Sequence, residues 1–251
     1  MNKLVAMTQG GAILGQVRQA LYHFTQVGVT PHEIELEARR FIKSLGGELS
    51  FTKVPGYSWA TCVNINSGIV HGIPTSTVPF RDGNLITVDV GVYYRGFHTD
   101  AAFSKVVGIT TPTKTRFLQA GMEGLQNALS TIKSGAHIGE IGNAMTSSLT
   151  PYGYSCTREL TAHGVGRELH EDPMISNLST PHPEKTPSLT LGQTLAIEII
   201  YVEGKSELIL EKDGWTISTK DGTLSAVFEE TVVVTKDGYS VLTIPSLFQI
   251  L

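Results

Sequence analysis

The chain has 251 residues, enough to bury a large core, and 41% of them are hydrophobic, which is ordinary for a globular protein. The formal net charge of -4 and the pI near 6.1 give no broad basic field, so binding to nucleic acid or to an anionic membrane is not indicated. Cys62 and Cys156 are the two cysteines. Two cysteines argue against a disulfide framework and favour reduced thiols in a cytoplasmic protein.

The N-terminal residues do not have the pattern of a secretory signal. Gln9, Gly10 and Gly11 interrupt the first apolar stretch, and no apolar run along the chain is long enough to span a bilayer. We therefore expect the protein to stay in the cytoplasm.

The first part of the chain predicts two helices followed by short strands. Apolar residues at helical spacing predict a helix over 3–27, ended by Gly28. Thr30 and Glu33 form a capping-box pattern that begins a second helix, which stops at Gly46. Extended segments follow at 49–54 and 60–65, and residues 68–74 are expected to be an irregular segment that carries His71.

The order helix, helix, strands then appears a second time. Helices are predicted over 112–132 and 138–149. The predicted strands that follow are 155–160, 194–202, 208–211, 215–219, 224–234 and 239–242. No residue-level repeat is visible, but this order suggests one domain over 1–251 with two related halves, 1–108 and 109–251.

The segment 86–107 predicts a β-hairpin with one aspartate on each arm. β-Branched residues alternate up to Tyr94, and Arg95-Gly96 supplies a two-residue turn. Counting back from the turn puts Asp89 opposite Ala102 and Gly91 opposite Asp100, so the two aspartates are diagonal neighbours on one face. Two close carboxylates in a dry place force one of them to be protonated or require a cation.

Acidic residues also interrupt the apolar strands of the second half. Glu198 lies within LAIEIIYV and Glu229-Glu230 within AVFEETVVV. Strand parity does not choose between Glu229 and Glu230, because they face opposite sides. His163 and His170 flank a glycine-bearing loop between these strands and the hairpin. A histidine near several acids suits a transition metal, and carboxylates that bridge two ions are typical of metal-assisted hydrolysis.

Each of these residues also has an ordinary explanation. A single acid in an apolar strand lies more often at a solvent edge or in an ion pair, and it is Asp100 on the same face that favours a cation at Asp89. The other residues with an ordinary structural explanation are His71 and His163 as hydrogen-bonded loop histidines, His32, His98 and His182 as surface or structural residues, Cys62 as a packing residue, and Glu230 as exposed or in a salt bridge.

Five segments together resemble the methionine aminopeptidases in their short bacterial form. They are HGIP at His71, TVDVGVYYRGFHTD ending at Asp100, AHGVGRELHEDP around His163 and His170, AIEI at Glu198, and DGWTISTKDGTLSAVFEETVVVT around Glu229. The likeness runs from about Val5 to Leu242 in the family's order. It implies an α+β "pita-bread" fold, in which helices cover a central antiparallel sheet and a pseudo-twofold axis relates the two halves.

The resemblance also implies roles for individual residues. The implied ligands of two divalent ions (cobalt, manganese, iron or zinc) are Asp89 for one ion, Asp100 and Glu229 as bridges, and His163 and Glu198 for the other. The resemblance therefore favours Glu229 over Glu230 as the metal ligand. His71 and His170 match the family's substrate-contacting histidines, and Glu198 is implied to move a proton. The implied walls of the side-chain pocket are Tyr57, Cys62 and Trp215.

The implied activity is removal of the initiator methionine from nascent proteins with a small second residue, by a monomer at the ribosome. Some positions depart from the family's pattern. They are Val70 before His71, Leu169 before His170, and Ile199 and Ile200 after Glu198. These departures bear on pocket shape and not on metal binding. Two alternatives are an X-Pro peptidase of the prolidase or aminopeptidase P type, which usually has a separate N-terminal domain, and a non-catalytic scaffold of the same fold that binds protein or RNA.

Overall fold

Helices and antiparallel sheets alternate along the computed structural model, which describes residues 2–251 and leaves Met1 outside the described residues. The α-helices are α1 (Lys3–Phe24), α2 (Pro31–Ser44), α3 (Pro112–Ser130), α4 (Ile138–Leu149) and the short α5 (Leu247–Ile250). The predicted capping box begins α2, since Thr30 Oγ1 accepts from Glu33 N and the Glu33 carboxylate accepts from Thr30 N. From residue 2 onward, no helix combines the length and the apolar character needed to cross a bilayer.

The strands form three sheets. The first contains β1 (Glu48–Leu49), β2 (Thr61–Ile65), β4 (Leu85–Tyr94) and β5 (Phe97–Val106), with β4 paired to the other three. The second joins β3 (Gly68–Val70) to β11 (Ile217–Thr219) and β10 (Leu208–Leu210). The third has the order β13-β12-β9-β7-β8, made of Tyr239–Val241, Ser225–Val234, Thr194–Val202, Thr161–Gly164 and Glu171–Ser176, with β6 (Ser155–Cys156) on β9. The pairs are antiparallel.

The hairpin of β4 and β5 has the register that the sequence predicts. Tyr94 pairs with Phe97, Gly91 with Asp100, and Asp89 with Ala102. The two-residue turn needs positive φ at both positions, and Arg95 and Gly96 have φ of 50° and 92°. The register follows because the turn fixes the count and the β-branched face can point only toward the core.

The two halves meet where β5 lies beside β12. Asp100 N donates to Thr231 Oγ1 at 2.8 Å, and Thr231 Oγ1 donates to Asp100 O at 2.7 Å. Farther along, Ser104 Oγ donates to Val227 O at 2.8 Å and accepts from Val227 N at 3.0 Å. Side chains therefore complete the hydrogen bonding between two strands that belong to different sheets.

Several element predictions were wrong where the partner is distant in sequence. The predicted strand over 49–54 ends at Leu49 and continues as a 3₁₀ turn at Phe51–Lys53, which brings Ser50 and Phe51 against Gly91. The segment before His71 is not irregular, because Gly68–Val70 pairs with β11 from the second half.

The region around His163 also differs from its prediction. The strand expected over 155–160 is limited to Ser155–Cys156, and the expected loop between His163 and His170 is flanked by two strands, β7 and β8, of which β7 also pairs with β9. His163 therefore lies on a strand. His98, expected to be surface or structural, is buried, and its Nδ1 lies 2.7 Å from Ser50 Oγ.

Glu230 faces the opposite side of β12 from Glu229 and forms a fully buried ion pair with Arg18 of α1. The Arg18 guanidinium donates to the Glu230 carboxylate at 3.0 Å, to Glu229 O at 2.9 Å, and to Thr243 O and Pro245 O at 3.1 Å. Burial raises the pKa of Glu230, while Arg18 and the donors at Thr243 and Leu247 oppose that rise. The salt bridge predicted as one alternative for Glu230 is thus present and holds α1, β12 and the C-terminal segment together.

Removing the Arg18 charge should destabilise the protein strongly, because it would leave the buried Glu230 carboxyl group without its counter-charge. We expect Arg18→Met to lower the free energy of unfolding of the metal-free protein by about 3–5 kcal/mol in urea denaturation. The matched control is Arg40→Met, which removes an exposed pair with Glu37 on α2 and should change little. Equal losses from the two substitutions would contradict this assignment.

Candidate metal centre and pocket

Four carboxylates converge where the two halves meet. Asp89 and Asp100 lie on the β4–β5 hairpin, where they are diagonal neighbours in the register, and each carboxyl group shifts the pKa of the other. Glu198 of β9 lies directly opposite Glu229 of β12 in the strand register. Opposed residues of an antiparallel pair share a face, so the hairpin and the β9–β12 pair each present two acids to one place.

Burial, with repulsion between neighbouring acids, raises the pKa values of this group. Burial raises the pKa of Asp89 to about 7. Burial, followed by the charges of Asp89 and Glu198, holds the pKa of Asp100 well above its ordinary value. Burial and then the charge of Asp100 do the same for Glu229. The four groups are therefore not all ionised near neutral pH unless positive charge is placed among them.

His163 presents a free nitrogen to the same place. Its Nδ1 lies 2.9 Å from Gly164 O, and because a carbonyl only accepts, Nδ1 carries the proton. Its Nε2 is left as a lone pair and lies 3.6 Å from Glu198 Oε1. Burial lowers the pKa of this imidazole to about 4, so it is neutral near neutral pH. A lone pair aimed at a carboxylate is unfavourable unless a proton or a cation lies between them.

The donor set fits a divalent cation. Ligand atoms of Asp100, His163 and Glu229 all lie within 4.8 Å of one another. Within the described range 2–251, Asp89 Oδ1 and Glu229 Oε1 are buried and have no hydrogen-bond partner. Buried polar atoms are normally paired, and carboxylate oxygens with one imidazole are ligands that first-row transition metals accept. The cluster can therefore hold metal, with Asp89 and Glu198 adjoining its three gathered groups.

An apolar pocket of about 120 Å³ opens beside the acids. It is lined by Phe51, Val54, Tyr57, Cys62, His71, Asp89, Asp100, Leu169, His170 and Trp215. Tyr57 Oη donates to Thr61 O at 2.8 Å and lies 3.2 Å from Cys62 Sγ, and the Tyr57 ring meets the Trp215 ring edge-on at 5.0 Å. Burial raises the pKa of the Cys62 thiol, which keeps it neutral. The structure thus brings the three predicted pocket residues together.

His71 and His170 lie at the junction of this pocket with a second cavity of about 170 Å³, which also contains His163 and Glu198. Burial lowers the pKa of both histidines, so each is a neutral imidazole with one N–H to donate near neutral pH. His71 has a φ of 58°, a left-handed conformation uncommon for a residue with a side chain, and the His170 ring lies 4.5 Å from that of His163.

The departures from the family's pattern fall in different places. Leu169 lines the apolar pocket, whereas Val70 and Ile200 line the second cavity. Ile199 points away from the site and packs in the core near Gly124 of α3. The first three therefore shape the cavities and the fourth does not.

The sequence analysis missed Glu35, a buried acid of α2 that accepts hydrogen bonds from the segment leading into β2. A signal was present, because Glu35 lies in the same helical stripe as Ile34, Ala38 and Ile42. A charged residue inside an apolar stripe needs a buried partner.

Comparisons with known proteins agree with this geometry. The profile of metallopeptidase family M24 matches residues 5–236. Methionine aminopeptidase 1 of Bacillus subtilis (strain 168) is 34% identical over 242 residues, which cover 96% of each chain. Methionine aminopeptidase of Escherichia coli (strain K12) is 33% identical over 239 residues, which cover 95% of this chain and 90% of the relative.

Solved structures share the fold. The crystal structure of methionine aminopeptidase from Thermotoga maritima has a TM-score of 0.93 at 34% identity and covers 96% of each chain. Prolidase from Pyrococcus furiosus has a TM-score of 0.76 at 20% identity, with 96% of this chain and 63% of that chain covered, which is a likeness of fold alone. The α+β pita-bread prediction is confirmed. Because the family profile spans most of the chain and relatives above 30% identity cover nearly all of it, this protein belongs to metallopeptidase family M24.

Proposed function

We propose that this protein is a methionine aminopeptidase that removes the N-terminal methionine from peptides with a small second residue, and that 1–251 acts as one catalytic domain. The observation that carries the proposal is the apolar pocket that opens directly onto the cluster of buried acids. An unbranched thioether adapts to such a pocket and makes favourable contacts with aromatic edges like those of Tyr57 and Trp215. The comparison with relatives named methionine aminopeptidases supports this activity over that of an X-Pro peptidase.

We further propose that the acids hold two divalent ions, with Asp89, Asp100, His163, Glu198 and Glu229 as ligands. Two ions offset four carboxylates, which suits the raised pKa values of the group. When bound, such ions lower the pKa of a water molecule toward neutrality and polarise a carbonyl group. Cobalt, manganese, iron and zinc are all compatible with carboxylate oxygens and one imidazole.

The chain's own residues then position the peptide and its protons. Asp89 and Asp100 line the pocket, so a methionine side chain that fills it would place the N-terminal amine beside the proposed metal centre. His71 and His170 each have one N–H to donate, to the peptide and to the oxygen that becomes negative. Glu198 lies in the second cavity beside them, and burial raises its pKa, so it can hold a proton between the two steps of its transfer.

The substrates we propose are the N-termini of newly made proteins. The enzyme would meet them in the cytoplasm at the ribosome, as a monomer. Its formal charge of -4 gives no support for direct binding to nucleic acid.

Divalent metal should stabilise the metal-free protein, because it removes the repulsion among the acids. At a concentration of one hundred times Kd, we expect a gain of about 2.7 kcal/mol for each bound ion. For a protein of this size, this corresponds to roughly 5–10 °C in Tm per ion. Asp100→Asn should abolish the shift, whereas Glu207→Gln, which removes an exposed carboxylate, should keep it. Elemental analysis should give two ions per chain, and one ion or none would contradict the proposed site.

Peptide specificity should separate the proposed activity from its alternatives. We expect Met-Ala-Ser to be cleaved and Ala-Pro-Ala to be left intact when product is measured by chromatography across the four metals. Faster cleavage of Ala-Pro-Ala would indicate an X-Pro peptidase. Failure to cleave either peptide, together with failure to bind metal, would indicate a non-catalytic scaffold.

Loss of either histidine donor should reduce turnover and leave metal binding intact. We expect His71→Ala and His170→Ala each to lower kcat by about 10² to 10³, the cost of one donor to a developing negative charge. The control is His182→Ala, which removes an exposed histidine that lines neither cavity. A loss of the metal-induced Tm shift in His170→Ala would show that this residue acts as a ligand instead.

A further inference from the structure

Glu35 is a buried carboxylate outside the metal centre that collects hydrogen bonds from one short stretch of backbone. It is 3% exposed. Ala60 N donates to its two oxygens at 2.8 and 3.1 Å, Thr61 N donates at 3.0 Å, and Thr61 Oγ1 donates at 2.7 Å. Arg39, one turn along α2, donates from Nε at 2.5 Å.

These bonds fix the segment that forms one wall of the apolar pocket. Residues 54–60 run without regular structure between the 3₁₀ turn at Phe51–Lys53 and β2. Arg39 Nη2 donates to Ser58 O at 2.7 Å, so the Glu35–Arg39 pair holds the segment at Ser58 and at Ala60–Thr61. The Tyr57 hydroxyl in turn donates to Thr61 O. The orientation of the Tyr57 ring therefore depends on where Glu35 holds Thr61.

The hydrogen bonds of Glu35 to Ala60 and Thr61 also affect the position of Cys62, another residue of the pocket. Cys62 follows Thr61 directly, and it pairs with Asp89 across the β2–β4 ladder. A shift of the beginning of β2 would move Cys62 along the ladder relative to Asp89. The positions of the pocket wall and of Cys62 relative to Asp89 therefore both depend on the hydrogen bonds of Glu35.

The residue type matters at this position. An ionised carboxylate has about four acceptor sites and no donor, which matches several N–H and O–H groups that converge on it. A glutamine would turn an NH₂ group toward some of those donors and leave buried groups unpaired. The converging donors of residues 60–61 are thus the reason that an acid is needed at position 35.

We propose that Glu35, supported by Arg39, is a positioning residue that sets the side-chain specificity of the pocket. The inference rests on the proposed function, since it names what determines the choice of the first residue of the peptide. It concerns the shape of the wall made by Tyr57 and Cys62, and it assigns no contact between Glu35 and substrate.

The test compares Met-Ala-Ser with Leu-Ala-Ser. In Glu35→Gln we expect the preference for methionine, expressed as the ratio of kcat/KM values, to fall about tenfold, the lower end of what a hydrophobic pocket gains from a close fit. Most of the loss should appear in KM for the methionine peptide. Arg39→Lys, which keeps the charge but not the planar fork, should change the ratio in the same direction by less.

The matched control is Glu33→Gln, the same chemical change two residues earlier on α2. Glu33 caps the helix through Thr30 and, among the described residues, forms no hydrogen bond with 58–61. It should alter Tm and leave the ratio unchanged. Equal ratios in Glu35→Gln, Glu33→Gln and the unmodified protein would overturn the inference, whatever the effects on Tm.

A second measurement does not depend on turnover. Trp59 and Trp215 are the two tryptophans of the chain, and both rings meet Tyr57 edge-on, at 5.2 and 5.0 Å. Acrylamide quenching of their fluorescence should increase in Glu35→Gln and not in Glu33→Gln. If the unmodified protein fails to cleave Met-Ala-Ser while quenching changes as expected, the proposed function fails and the positioning role stands. Unchanged quenching in Glu35→Gln overturns the positioning role itself.

Discussion

The repulsion among four buried carboxylates is the constraint on which the site depends. Each half of the chain contributes two acids from a pair of antiparallel strands, and the halves bring them together only because β5 lies beside β12. The reciprocal bonds between Asp100 backbone and Thr231 hydroxyl fix that contact at the position of an acid. A point at which the halves are hydrogen bonded to each other is thus also the point where like charges meet, and the fold prevents the acids from moving apart.

The placement of Asp89 and Asp100 could be predicted from interactions within the β4–β5 hairpin. A two-residue turn and a β-branched face are enough to count the register of β4 and β5, so the shared face of Asp89 and Asp100 followed from the sequence. The choice between Glu229 and Glu230 did not follow. It depends on Arg18, more than two hundred residues away, which occupies the opposite side of β12 and pairs with Glu230. The family resemblance selected Glu229, and the opposed register of Glu229 and Glu198 gives the physical reason.

The errors of the sequence analysis have a common origin. The sequence analysis did not predict β3, β7 or β8 as strands, and two of these, β3 and β7, are short and pair with strands farther along the chain, β11 and β9. Single-strand patterns carry little information when the partner is unknown. The same holds for the pocket, since residues 54–60 have no periodic pattern, and their conformation is set by the side chains of Glu35 and Arg39 on α2.

Buried acids in this molecule fall into two kinds according to what surrounds their oxygens. Glu230 faces a guanidinium, a hydroxyl and a backbone N–H, and Glu35 faces two backbone N–H groups, a hydroxyl and a guanidinium. Their negative charge is satisfied by the protein itself. Asp89 and Glu229 instead each have a buried carboxylate oxygen with no hydrogen-bond partner among the described residues, and the charges of neighbouring acids further raise the pKa of Glu229. A buried carboxylate that lacks donors from the protein requires positive charge from outside the chain. This difference in hydrogen bonding distinguishes the acids of the metal centre from the acids that only stabilise the fold.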